Sequence, residues 1–246
     1  MLAMVLTAVV RAAQLGFVPE PEAAGPVFVR RETIDLSPWL DALEAAPAAA
    51  GTAVLDIEAV GIATGHLAAF LVGVGRCRGS DLALEQFLLA DVSAELALLE
   101  AVAGRVRPAT LVTYNGRAFD MRVLASRCVA NGLHPAVLEP QRHHDLLAPA
   151  RRHFRGRLRS CTLAEIETAV LGVFRGDDVL GREGPVRYRA WLRGAPADVL
   201  AGVVAHNAMD VASTALLEAH MTALGEPPAT PRPPVRTPRS LAADRA

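Results

Sequence analysis

At 246 residues, 52% apolar and 21% charged, the chain is globular in composition and long enough to bury one sizeable core. A formal net charge of −1 is not the balance of a protein that binds polyanions over its whole surface. No run approaches the roughly 18 to 20 uninterrupted apolar residues of a membrane span, so a soluble protein without a membrane partner is expected.

The first 17 residues are apolar, but they lack a positively charged opening and place Arg11 inside the hydrophobic run, which argues against a secretory signal. Cys77, Cys128 and Cys161 are odd in number and widely spaced, which disfavours a disulfide framework or zinc knuckle and points to a reducing cytoplasm. Residues 18–50 read as a lead-in with one strand near Val27 and one short helix near Trp39. Three apolar runs, 53–57, 66–74 and 82–89, joined by short connections, then predict an antiparallel meander. A helix over 93–103 with Ser93 as its cap follows, then a strand over 110–114 and a helix over 118–130 stopped by Asn131-Gly132. Further on, 163–171 is a helix capped by Thr162, 186–192 a short helix, and 197–224 a long apolar-periodic one. The expected organisation is a lead-in over 1–50, an α/β domain over 51–224 with a mixed sheet flanked by helices, and a disordered Pro- and Arg-rich tail over 225–246.

Three places concentrate chemistry. Asp56 and Glu58 end an apolar run two residues apart, so a strand would point both carboxylates to one face; they are a solvated strand end or a pair awaiting a hard cation. Asp120 closes Tyr114-Asn115-Gly116-Arg117-Ala118-Phe119-Asp120, where a strand turns into a helix and an acid suits the helix dipole. His206 and Asp210 lie four apart on one helix face among Val203, Val204 and Val211, as an internal hydrogen-bonded pair or as part of a site. All 25 basic residues are arginine, and 11 of them fall between Arg142 and Arg193 against six acids, so that segment is locally positive.

In order and content the three motifs, DIEAVG, YNGRAFD and HNAMDV, resemble those of the DEDD 3′–5′ exonuclease superfamily. The intervening HHDLL, LAEIE, Leu171-Gly172, Asp177-Asp178, Gly181 and Tyr188 are similar to its YprB-like ribonuclease-H-like branch. Two departures stand out: Ala59-Val60 replaces the usual threonines after Glu58, and His206 stands four residues before Asp210 where the histidine-type motif has five.

The resemblance implies a ribonuclease-H-like fold, with the antiparallel meander followed by parallel strands. It further implies that Asp56, Glu58, Asp120 and Asp210 hold two Mg2+ or Mn2+ ions against a phosphodiester of DNA or RNA, with His206 accepting or relaying a proton from water. The nucleic acid would enter as a single strand or 3′ end. Asn115 and Phe119 would contact its terminal nucleotide, although a turn residue and a core aromatic are equally simple readings of them. Arg151, Arg152 and Arg155 would hold phosphates. Asp145 reads as a further acid of the site or as a helix cap, and Asp177 and Asp178 as solvent-facing loop residues. The alternative is a nucleic-acid-binding module of the same fold with weakened catalysis. Protein partners are not legible.

Overall fold

The apolar runs become strands of one sheet. The computed structural model describes residues 2–225 except 22, 24, 26, 63, 64 and 177–182. Its strands are β1 (Val18–Pro19), β2 (Phe28–Asp35), β3 (Thr52–Gly61), β4 (Leu67–Arg78), β5 (Asp81–Leu88), β6 (Thr110–Thr113) and β7 (Arg142–Asp145), arranged β1-β2-β5-β4-β3-β6-β7. The expected meander is β3-β4-β5, antiparallel throughout, and β6 and β7 run parallel to β3 on its other side.

Two elements differ from the expectation. The lead-in is stitched into the sheet, because β2 pairs with β5 over eight residues and β1 adds to its outer edge. β7, made of Arg142, His143, His144 and Asp145, has no apolar run to announce it; backbone pairing in parallel register with β6 makes it a strand.

Helices cover both faces. On one lie α1 (Leu2–Gln14), α3 (Glu95–Val106), α4 (Asp120–Ala130) and α7 (Gly184–Leu192), packed around Leu55, Ile57, Leu98, Leu124 and Trp191. On the other lie α2 (Ser37–Ala42), α5 (Leu147–Phe154), α6 (Leu163–Ile166, widening into a π-turn over Glu167–Leu171) and α8 (Ala201–Ala223), packed around Val54, Val112, Ile166 and Val211. The 3-10 turn Val92–Ala94 that leads into α3 is capped by Asp91, not Ser93: Asp91 accepts from the Ser93 backbone N–H and hydroxyl, both at 2.8 Å. Thr162 does cap α6, accepting from the Glu165 N–H. Arg11 docks α1 by donating to the carbonyls of Trp191 and Ala195, with its guanidinium 4.8 Å from the Trp191 ring centroid.

By length and composition alone, residues 197–223 are apolar enough to cross a bilayer. In this fold 61% of its most apolar 18-residue stretch is buried, and α8 packs at the heart of its face. Two glycines let it approach β4. A methyl group on Gly73 would stand 2.5 Å from Oδ1 of Asn207, and one on Gly75 would stand 2.7 Å from Val211, so a side chain at either position would push the helix away. The tail beyond residue 225 and Asp177, Asp178 and Gly181 lie outside the described residues.

Candidate active site

Strand β3 has apolar neighbours on both faces, yet the face turned to α8 carries Asp56 and Glu58 after Val54. Immediately beyond Glu58 the register with β4 slips by one residue, from Glu58↔Leu71 to Ala59↔Ala69, which leaves Phe70 unpaired in a bulge. Phe70 stacks on Tyr188 with centroids 4.2 Å apart, and the Tyr188 hydroxyl donates to the Leu89 carbonyl at 2.6 Å. The bulge thus lies at the site, where the threonines of the usual motif are absent.

Asp120 arrives through a short strand and a tight turn. β6 pairs with β3 only as far as Val54↔Val112, so the Ile57 N–H lies past its reach; Oδ1 of Asp120, the first residue of α4, accepts that N–H at 3.1 Å. The turn is held by Asp145 at the end of β7, which accepts three backbone N–H groups, from Asn115 (2.9 Å), Arg117 (2.9 Å) and Leu147 (3.1 Å). Asp145 is therefore both a clamp on the turn and a cap for α5. Asn115 adopts φ 67°, a left-handed conformation that asparagine tolerates, and Gly116 sits against Thr113 where a Cβ would come within 2.5 Å.

From α8, Asn207 donates to the backbone carbonyl of Asp56 (3.2 Å) and to its Oδ2 (2.8 Å). Asn207 is itself held by Gln86, which donates to Asn207 Oδ1 at 2.9 Å and to the Val204 carbonyl at 2.8 Å, while Arg30 donates to Gln86 at 2.8 Å. Asn207 and Gln86 are fully buried. On the residue just before Asn207, Nε2 of His206 lies 3.5 Å from Oδ2 of Asp210 and 4.0 Å from Oε1 of Glu58. Arg175 donates to Oδ1 of Asp210, to Oε1 of the buried Glu167 and, at 3.1 Å, to Nδ1 of His206.

The four motif acids act on one another. Burial first, then the charges of Asp210, Asp120 and Glu58, push the Asp56 carboxyl well above its ordinary range, against the opposing Asn207 hydrogen bond. Burial raises Asp120 from near 3.8 to about 6, with the charges of Asp145 and Asp210 adding to the rise and the backbone N–H groups opposing it. Such a set is hard, all-oxygen and unfavourable as bare charge, which is the chemistry that suits Mg2+ or Mn2+. Among the described residues no ready-made metal cage of three or more such groups has formed. Instead, Asp56, Asp120 and Asp210 are each engaged by a donor of the protein, as Asn207, the Ile57 N–H and Arg175 show.

Residues 53–222 match the RNase_H superfamily. The chain belongs to that family. Its sequence is 33% identical over 168 residues to the protein named "Uncharacterized protein YprB" of Bacillus subtilis (strain 168), covering 68% of this chain and 41% of that one, so the chain spans about two-fifths of that relative. Among solved structures, Brucella melitensis NrnC bound to pGG is similar at a TM-score of 0.43 and 19% identity, over 72% of this chain and 76% of that one. Escherichia coli exonuclease I in complex with a dT13 oligonucleotide is similar at 0.42 and 18%, over 72% and 43%.

Beside the acids of this RNase_H-superfamily domain lies a cationic cleft. It is about 600 Å³ in volume and is lined by Arg117, Asp145, Leu147, Ala148, Arg151, Arg152 and Arg155. Arg151, Arg152 and Arg155 are exposed on and just after α5. Phe119 is 42% exposed, next to Asp120, so it is a surface aromatic and not the core residue that one reading of it required. Asn115 is exposed and does serve the turn. His143 is held neutral by burial and by the Arg117 charge, which lower it to about 4, and its Nε2 lies 2.9 Å from the Thr113 hydroxyl.

Sequence reasoning missed Asn207, Gln86, Glu167 and Arg175. Asn207 stood inside the quoted HNAMDV motif, beside the histidine, and its amide was the available signal. Glu167 closes the quoted LAEIE, but nothing there named its partner, and Arg175 carried no signal, because eight residues and a π-turn separate the two.

Proposed function

We propose that this chain is a metal-dependent nuclease that hydrolyses phosphodiester bonds of DNA or RNA from the 3′ end. Membership of the RNase_H superfamily supports a hydrolase acting on nucleic acid. The observation behind the reading is the convergence of Asp56, Glu58, Asp120 and Asp210, brought from β3, α4 and α8 into mutual electrostatic reach. These four would hold two divalent cations. When bound, such ions make a water nucleophilic near neutral pH and stabilise the leaving oxygen.

The chain's own residues do the rest. Asn207 fixes the rotation of the Asp56 carboxylate, and the Ile57 N–H fixes that of Asp120. Phe119 offers an exposed ring for a terminal base, and Arg151, Arg152 and Arg155 line the cleft through which the phosphate backbone would run. A cytoplasmic location is part of the same proposal.

A second reading, a binding module with weakened catalysis, draws on the engagement of Asp210 by Arg175. Labelled DNA and RNA, single and double stranded, incubated with and without Mn2+, separate the two. The proposal expects Mn2+-dependent shortening with the 5′ label retained on a ladder of products. Binding without cleavage on every substrate would favour the second reading.

A further inference from the structure

We infer that Arg175 is a positioning residue that fixes both the orientation of Asp210 and the tautomer of His206. A guanidinium has donors only and stays charged, so the 3.1 Å approach of its Nη1 to Nδ1 of His206 requires that Nδ1 accept. The neutral imidazole then carries its proton on Nε2. That nitrogen faces Oδ2 of Asp210 at 3.5 Å and Oε1 of Glu58 at 4.0 Å. His206 is therefore set to donate toward the carboxylates and has no lone pair at Nε2 with which to take a proton from water. Of the two roles first expected of it, accepting or relaying a proton from water, acceptance at Nε2 is closed while Arg175 holds Nδ1.

The same guanidinium bonds Oδ1 of Asp210 and leaves Oδ2 turned toward Nε2 of His206. Its own placement is secured by Glu167, 1% exposed, whose carboxylate it also bonds. A charged carboxylate this deeply buried is favourable only with such a partner, so Glu167 and Arg175 hold each other in one geometry. Positioning of a metal ligand by Arg175 rests on the metal-dependent reading above; the tautomer does not.

Long-range 1H–15N NMR of the full 15N-labelled chain, free of metal and nucleic acid at pH 8, reads the tautomer directly, with His206 assigned by its loss in His206→Gln. The expected spectrum shows an unprotonated Nδ1 and a protonated Nε2. A protonated Nδ1 in the wild-type chain would overturn the inference. Arg175→Met is expected to lose this single-tautomer signature and Arg175→Lys, which keeps one charged donor, to restore part of it. An unchanged spectrum in a folded Arg175→Met would count against Arg175 as its cause. Mn2+ titration followed by electron paramagnetic resonance tests the second half: affinity should fall roughly 10- to 100-fold in Arg175→Met, as for other residues that orient a metal ligand. Unaltered affinity would show that Arg175 does not orient Asp210 for a metal. Absence of nuclease activity in the wild-type chain, with the tautomer as expected, would refute the proposed function and leave the assignment of His206 standing.

Discussion

The acid cluster and the arginine cleft stand side by side where the parallel strands end, and they differ first in burial. Glu58 and Asp120 are 8% and 6% exposed, whereas Arg151, Arg152 and Arg155 face solvent. A buried carboxylate loses hydration and keeps its neighbours' repulsion, so the cluster is unfavourable as bare charge and gains from a cation. Exposed guanidinium groups keep their hydration and act on a polyanion over a longer range, through displaced counterions. Under the proposed function these neighbouring regions of opposite sign would take different parts of one ligand: the acids the cations and the phosphate being cut, the arginines the backbone that leads to it.

The most severe break in that comparison is Asp56→Asn or Asp120→Asn. Either should take Mn2+-dependent hydrolysis below detection while the variant remains folded by circular dichroism, because the amide keeps the shape and loses the charge. Undiminished turnover in either would remove the acids from the chemistry.

Next in size is the pH dependence of stability without metal. The folded Asp120 carboxyl titrates at about 6, against near 3.8 in the unfolded chain, so between these values the native state holds a proton that the unfolded state has released. Its contribution is full below about pH 4 and is lost as pH rises through about 6; Asp56 shifts in the same direction. Glu85 and Asp91 are lowered and slope the opposite way, so the test is the difference between wild type and Asp120→Asn. Urea unfolding in chelator should show the variant gaining on the order of 2 kcal/mol relative to wild type between pH 4 and 7. A constant difference across that range would show that Asp120 is not strained as an anion.

Arg151→Ala with Arg155→Ala sharpens the other side. Oligonucleotide binding should weaken about equally for all sequences, and the salt slope should fall by about one for each arginine that no longer meets a phosphate. An unchanged slope would place the backbone elsewhere. The smallest expected effect follows truncation after Leu224: residues 225–246 are too rich in Pro, Arg and Thr to bury much apolar surface, so stability should stay within about 0.5 kcal/mol. A larger fall would show that the tail packs on the domain.

What was legible in the chain follows from local physics. The meander could be read because β3, β4 and β5 are long and apolar, and α4 because Asn131-Gly132 ends a clear helical period. β2 read as a strand but not as part of the sheet, since Arg30, Arg31 and Glu32 gave no sign that it pairs with β5. β7 was hidden for a related reason: two histidines, an arginine and an aspartate carry no period, and only β6 makes them a strand. Ser93 and Asp91 competed for one cap, and the choice lay with backbone geometry that sequence does not print.

The sequence by itself determined the identities and order of the acids, because each belongs to a local pattern: Asp56 and Glu58 share one face of a strand, Asp120 opens a helix after an Asn-Gly turn, and Asp210 lies on a helix face with His206. Tertiary structure decided what holds them. Asn207 reaches Asp56 only because Gly73 leaves room across the sheet, and Asp120 finds the Ile57 N–H only because β6 is short. Asp145 became a clamp when three backbone N–H groups closed around it. Arg175 meets His206 across 31 residues of chain through a π-turn and a helix docked on the sheet. A hydrogen bond between residues that distant depends on the placement of whole elements, and that placement is a property of packing, not of spacing along the chain.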